Sequence, residues 1–93
     1  MRVIWDPDKA RQNLRKHGVR FSDAEVALFD AFALTREDKA ARGESRFVSS
    51  GRDTTGRVVV VVYTHRGDDL RLISARVATR REKKQYEEGI RLQ

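Results

Sequence analysis

Apolar positions change their period once along this chain, near Ser45. Before that point they recur at helical spacing. After it they crowd into runs of β-branched residues that read as strands. A short first strand is predicted at "RVIW" (2–5), with Val3 and Trp5 on one face. "DPDKARQNLRKHGV" then reads as a helix with both ends marked. Asp6 suits the N-cap, Pro7 the first helical position, and Asp8 the positive end of the dipole. Gly18 suits the left-handed residue after the helix. "FSDAEVALFD" predicts a second helix, with Ser22 and Glu25 as a capping box and Phe21 with Val26 as a hydrophobic staple. "AFALTRED" is ambiguous, and "KAARGE" reads as a loop.

Three strands are expected next, at "SRFVSS", "GRVVVVVY" and "LRLISARV". The short turn-like links "GRDTTG" and "THRGDD" favour an antiparallel meander. Val58–Val62 is apolar at both parities, which marks the central strand. In the last strand Ile73, Ala75 and Val77 are expected to face the helices, with Leu70, Leu72, Ser74 and Arg76 opposite. Thr79 and Glu82 form a capping box for a last helix that Gly89 can close. The expected fold class is α+β, in the order β-α-α-β-β-β-α, as one domain over residues 1–93. Its helices would pack on one face of a small, mostly antiparallel sheet and leave the other partly open.

Charge adds a direction to this picture. Net charge is +6, unevenly spread: +4 over residues 1–20, −3 over 21–44, +1 over 45–70, +5 over 71–84 and −1 over 85–93. A basic field of this kind suits a polyanion such as nucleic acid, though it also serves solubility. There is no cysteine, so no disulfide and no thiolate metal site. That fits a reducing cytoplasm. No apolar run is long enough to span a bilayer, so no membrane association is expected. The chain shows no P-loop, dinucleotide-binding glycine pattern or zinc spacing, and no metal or cofactor is expected. The adjacent Asp68 and Asp69 read as a polar hairpin turn.

Candidate chemistry gathers at the end of the last strand. Arg76, Arg80, Arg81, Lys83 and Lys84 surround a helix whose large apolar group, between Arg80 and Glu88, is Tyr86. Tyr86 is either the anchor that holds this helix to the sheet or a phenol beside cations, able to exchange a proton or stack on a base. Arg76 is either salt-bridged surface or a phosphate ligand. Glu44 and Arg46 straddle a strand start and can form an ion pair. His65 and Arg66 sit in a hairpin turn, where they can touch phosphate.

These pieces together resemble one family. "WDPDKARQNLRKHGVRFSDA", with Trp5, Asp6, Asn13, Lys16, His17, Gly18, Val19 and Phe21, is similar to the opening of the BrnT toxins. "GESRFVSSG" resembles their Glu-x-Arg strand through Glu44 and Arg46. "LISARVATRREKKQYE" resembles their closing signature through Ile73, Ser74, Ala75, Arg76, Ala78, Arg81, Glu82 and Tyr86. The resemblance implies a RelE-like fold and a ribonuclease toxin of a type II toxin–antitoxin pair, which arrests translation. It implies a BrnA-type ribbon-helix-helix antitoxin as partner, and operator DNA bound through that antitoxin. Metal-independent cleavage by the 2′-hydroxyl needs a base, cations for the phosphorane and an acid for the leaving oxygen. Arg76 would stabilise the phosphate. Tyr86, its pKa lowered by neighbouring cations, would share the proton work. Glu44, His65 and Tyr86 all remain open as the base. Arg46, Arg66, Arg80, Arg81 and Lys83 would bind RNA. The alternative is a non-catalytic module that holds nucleic acid with the same basic face.

Overall fold

Val58–Val62 lies, as expected, in the middle of the sheet. The structure, a computed structural model, describes residues 1–39 and 43–92. Its elements are β1 (Val3–Ile4), α1 (Pro7–His17), α2 (Phe21–Ala24), a 3-10 segment (Glu25–Phe29), β2 (Leu34–Asp38), β3 (Arg46–Arg52), β4 (Val58–Arg66), β5 (Asp69–Val77) and α3 (Arg80–Arg91). The strands are ordered β1-β5-β4-β3-β2. All neighbours are antiparallel except β1, which runs parallel to β5. The α+β class and mostly antiparallel sheet stand as expected. The ambiguous "AFALTRED" contains a fifth strand, β2. Part of the loop expected over 39–44 lies outside the described residues.

One face of the sheet holds the core. Val59, Val61 and Tyr63 of β4 pack with Leu70, Leu72 and Ala75 of β5 under Val19, Phe21, Ala24 and Ala27. Val3, Trp5 and Phe47 close its rim, with Trp5 edge-on to Phe21 at 5.9 Å between centroids. Each fully buried valine contributes on the order of 1.5–3 kcal/mol. Gly51 lets the 3-10 segment approach β3, because a Cβ there would meet the Ala27 carbonyl oxygen at 2.5 Å. Asn13 is buried and bridges three pieces of backbone. Its Nδ2 donates to the Val19 and Ala75 carbonyls at 3.0 and 2.8 Å, and the Ala75 N–H donates to its Oδ1 at 3.1 Å. That explains structurally why an asparagine sits in the middle of α1.

Three sequence expectations are corrected. Leu70 and Leu72 point into the core, not away from it. Val62 pairs with Ser74 and Tyr63 with Leu72, so Ile73 is the extra residue of a β-bulge. A bulge residue shifts strand parity by one, which a strict period of two misses. Second, α2 begins at Phe21, with Arg20 as N-cap and no side-chain cap. Burial of Phe21 in the core draws the chain into the helix before Ser22 can cap it, and Val26 is left 44% exposed. Third, Gly89 lies inside α3, which runs on to Arg91. The other markers hold: Asp6 accepts from Asp8 N–H, Gly18 is left-handed at φ 69°, and Thr79 with Glu82 closes a complete capping box.

α1 and α2 cover the core face. α3 instead docks across part of the opposite face, beside β3. Its anchor is Tyr86, 1% exposed. The rest of that opposite face stays open.

Candidate functional site

Cross-strand register decides which side chains share the open face. In antiparallel pairs, directly opposed residues point the same way. Leu34, Ser50, Val60 and Arg76 form one row. Arg36, Val48, Val62 and Ser74 form the next, and Asp38, Arg46, Thr64 and Arg71 the one after. Arg66 follows two residues beyond Thr64, on the same side of β4. Arginines from four strands therefore look out from one face, opposite the apolar core. A cleft of about 240 Å³ opens there between β2, β3 and α3, lined by Leu34, Thr35, Arg36, Val48, Ser50, Glu82 and Gln85.

Arg76 is held in place beside this cleft. Its Nη1 and Nη2 donate to the two Glu82 carboxylate oxygens at 2.7 and 2.9 Å. Glu82 is itself fixed, because Oε1 accepts from the Thr79 N–H at 2.9 Å as half of the capping box. The Arg76 hydrogen bonds, partly opposed by burial, hold the Glu82 carboxyl down at about 2. The same contact raises Arg76. Glu82 is thus a permanent anion that orients Arg76, and a poor proton acceptor near neutrality. Two of the five guanidinium donors are occupied by Glu82, and others remain for a phosphate.

Tyr86 has a different environment from the one expected. Its hydroxyl donates to Asp30 Oδ2 in a short hydrogen bond. Asp30 also accepts from the Phe32 and Arg52 N–H groups, both at 2.9 Å. Burial, then the hydrogen bond to the Asp30 carboxylate, pushes the phenol up to about 12. Arg52, whose guanidinium carbon lies 5.5 Å from the ring centroid, opposes this weakly. The expectation of a phenol acidified by cations is overturned: an anion and burial outweigh the one close cation. Tyr86 stays protonated and anchors α3.

The far end of the sheet carries a second group. Arg66 Nη2 pairs with Glu44 Oε1 at 3.4 Å, so Glu44 meets Arg66 and not Arg46. His65 is exposed, but its partner in register is Leu70, so it lies on the core side of β4. There it meets the Phe47 ring edge-on at 5.0 Å between centroids. Thr64 lies four residues along β4 from Val60, so this end is roughly 13 Å from the Arg76 row. Arg80 and Lys83 stand on the outer flank of α3, in a groove that also holds Lys84, Glu87, Glu88 and Arg91. Arg81 is exposed, four residues from Gln85, which lines the cleft. Among the described residues no three His, Asp or Glu side chains converge as a metal site.

A family model described as "Ribonuclease toxin, BrnT, of type II toxin-antitoxin system" matches residues 5–82. This chain belongs to the BrnT family. The crystal structure of the ribonuclease toxin BrnT from Brucella abortus is 30% identical. It superposes with a TM-score of 0.68, over 86% of this chain and 99% of that one. No curated protein sequence matches the chain. No helix among the described residues is long and apolar enough to cross a membrane. The BrnT match ends at Glu82, so it includes Arg76 and its clamp and stops short of Tyr86.

Of the four residues expected to do chemistry in this toxin, only Arg76 stands at the cleft. Glu44 and His65 are at the other end of the sheet, on different sides of it, and Tyr86 is buried under α3. Sequence reading missed Arg36 and Arg71. Arg36 sits in the ambiguous segment that became β2. The bulge hid Arg71, although a charged residue flanked by Leu70 and Leu72 was itself a signal of a strand with one wet face. Asp30 was missed too, and only the folded chain brings it to Tyr86.

Proposed function

We propose that this chain is an endoribonuclease whose substrate RNA lies along the open face of the sheet. The observation that carries the proposal is the register, which lines up Arg36, Arg46, Arg66, Arg71 and Arg76 opposite the apolar core. Arginine forks bind phosphate without losing charge. The scissile phosphate sits at the cleft between Arg36 and Arg76. Arg46, Arg66 and Arg71 hold neighbouring phosphates further along the strand. The 2′-oxygen loses its proton and attacks phosphorus, and the bond to the 5′-oxygen breaks as that oxygen takes up a proton. The products are a 2′,3′-cyclic phosphate and a 5′-hydroxyl. Arg76 contributes by meeting the charge that grows on the non-bridging oxygens. A donor fixed beforehand by Glu82 gives most there, since no reorganisation is needed as charge develops.

Glu44 acts, on this reading, on nucleotides next to the cleft, because roughly 13 Å along the strand is too far for both ends to serve one phosphate. His65, on the other side of the sheet, takes no part. Tyr86 positions α3, and with it Glu82. The reaction proceeds without a metal, the arginines supplying the positive charge. In the cell the protein acts in the cytoplasm, arrests translation by cutting RNA, and is neutralised by a BrnA-type ribbon-helix-helix antitoxin. The pair represses its own operon, with operator DNA bound by the antitoxin. The test is to free the purified toxin from its antitoxin and incubate it with RNA in excess EDTA. Cleavage to cyclic-phosphate ends supports the proposal. RNA binding without cleavage, in EDTA and with added Mg²⁺ alike, would leave a nucleic-acid-binding module instead.

A further inference from the structure

Several exposed apolar side chains of this protein lie together. Val26, Phe29, Phe32 and Leu34 are 44%, 62%, 42% and 42% exposed. The first three, with Ile90 and the edge of Tyr86, line a wide groove of about 500 Å³ where the 3-10 segment meets the C-terminal half of α3. Leu34 continues the patch, its Cδ2 lying 3.5 Å from where a Cβ on Gly89 would stand. Contiguous exposed apolar surface with a polar rim is characteristic of a protein interface.

Charge in the groove selects the occupant. Two carboxylates line it, and both are turned inward. Asp30 accepts from Phe32 N–H, Arg52 N–H and the Tyr86 hydroxyl. Asp53 accepts from Thr55 and from Arg57. The cation lining the groove is Arg52, an exposed residue whose guanidinium lies over the Tyr86 ring. Its Nη1 donates to the Gly56 carbonyl at 2.7 Å, with further N–H donors left for a partner. A second copy docked about a two-fold axis would bring this arginine toward its own equivalent, between chains of net charge +6 each. A polyanion would find one cation among phenyl and aliphatic groups.

We propose that this groove receives the antitoxin: a segment with apolar side chains for Val26, Phe29, Phe32 and Ile90 and an acidic group for Arg52. This rests on the toxin reading above and adds where neutralisation begins. The groove lies at the opposite end of α3 from Glu82, so the same helix that orients Arg76 would be gripped by the partner. The antitoxin thereby holds the toxin without needing to displace Arg76.

The experiment uses the full chain and the purified antitoxin encoded beside it. Phe29→Ser/Phe32→Ser should weaken antitoxin binding by about 100-fold, the scale for losing central apolar anchors. The variant should cleave RNA as the unchanged toxin does. Arg52→Gln, which keeps bulk over the Tyr86 ring, should reduce the salt dependence of that affinity. Unchanged antitoxin affinity in the double variant overturns the docking site while leaving the ribonuclease reading intact. So does a loss of toxin self-association, seen by sedimentation, with antitoxin affinity kept, since the patch would then join two copies. So does loss of RNA affinity with antitoxin binding kept. If the unchanged toxin fails to cleave RNA yet the double variant loses antitoxin, the ribonuclease reading fails and the docking site survives.

Discussion

The two faces of this sheet are built from alternate residues of the same strands and have opposite chemistry. On one, Val59, Val61 and Tyr63 disappear under α1, α2 and the 3-10 segment. On the other, arginines stand in rows, and only part of the surface is covered, by α3. The first face is mostly apolar and buried, and the second carries the arginines, although Val58 and Val60 are buried there too. A small domain buries a modest share of its surface, so stability must be concentrated on one side if the other is to stay wet and charged. Substitutions on the two faces should therefore separate stability from activity.

The largest effect is expected on the core face. Val61→Asp would bury an unpaired charge at a position that is 0% exposed. It should cost more than about 4 kcal/mol and leave the chain unfolded, as circular dichroism would show. A native-like spectrum would break the comparison at its base. On the open face, Arg76→Ala should lower kcat/KM for RNA cleavage by about 10²-fold or more. Its melting temperature should move little, because a partly exposed ion pair contributes roughly 0–1 kcal/mol. Arg76→Lys should recover only part of the rate, since an ammonium cannot both fork to Glu82 and reach the phosphate.

Tyr86→Phe sharpens the boundary between the faces, because Tyr86 lies on the open side yet is buried. The change removes a hydrogen bond to a carboxylate that keeps its two N–H donors, so about 1–2 kcal/mol of stability should be lost. The cleavage rate should stay within about twofold. A large rate loss at unchanged stability would return the hydroxyl to the chemistry. The smallest effect concerns pH. Glu82 is lowered from 4.5 to about 2, so its contribution is complete above its unfolded value and is lost as pH falls through that interval. Asp30 and Asp53 are lowered as well and act in the same direction. Denaturation curves should show Glu82→Gln with a shallower acid-side loss than the parent, and the remainder due to the aspartates. Identical slopes would mean that the Arg76–Glu82 contact is not maintained in solution.

Much of the fold was legible because its signals are local. Caps at Asp6, Gly18 and Thr79 depend on a few neighbouring residues, and the doubly apolar run at Val58–Val62 names its own place in the sheet. The bulge at Ile73 was not legible, since it is a mismatch between two strands and leaves no mark on either alone. β2 was hidden for a related reason: it is an edge strand, exposed along most of its length, so "LTRED" carries no alternation. The candidate site suffered from both. Arg76 was placed on the correct face because it follows the bulge, and Arg71 was missed because it precedes it. The phenol of Tyr86 was misjudged because its decisive neighbour, Asp30, is 56 residues away in sequence.

Equal charge can be removed from the two sides of the molecule and the consequences compared. Arg36→Ala/Arg71→Ala takes two positive charges from the open face. Arg15→Ala/Arg20→Ala takes two exposed ones from the helical side. Cleavage of one RNA by the parent and the two double variants, alongside their melting curves, measures where the substrate lies. The first pair should reduce kcat/KM by about 10²-fold with melting preserved, and the second should stay within about twofold. Equal losses in both pairs would mean that RNA answers to net charge alone, and that the arginine rows of the open face are not its binding site.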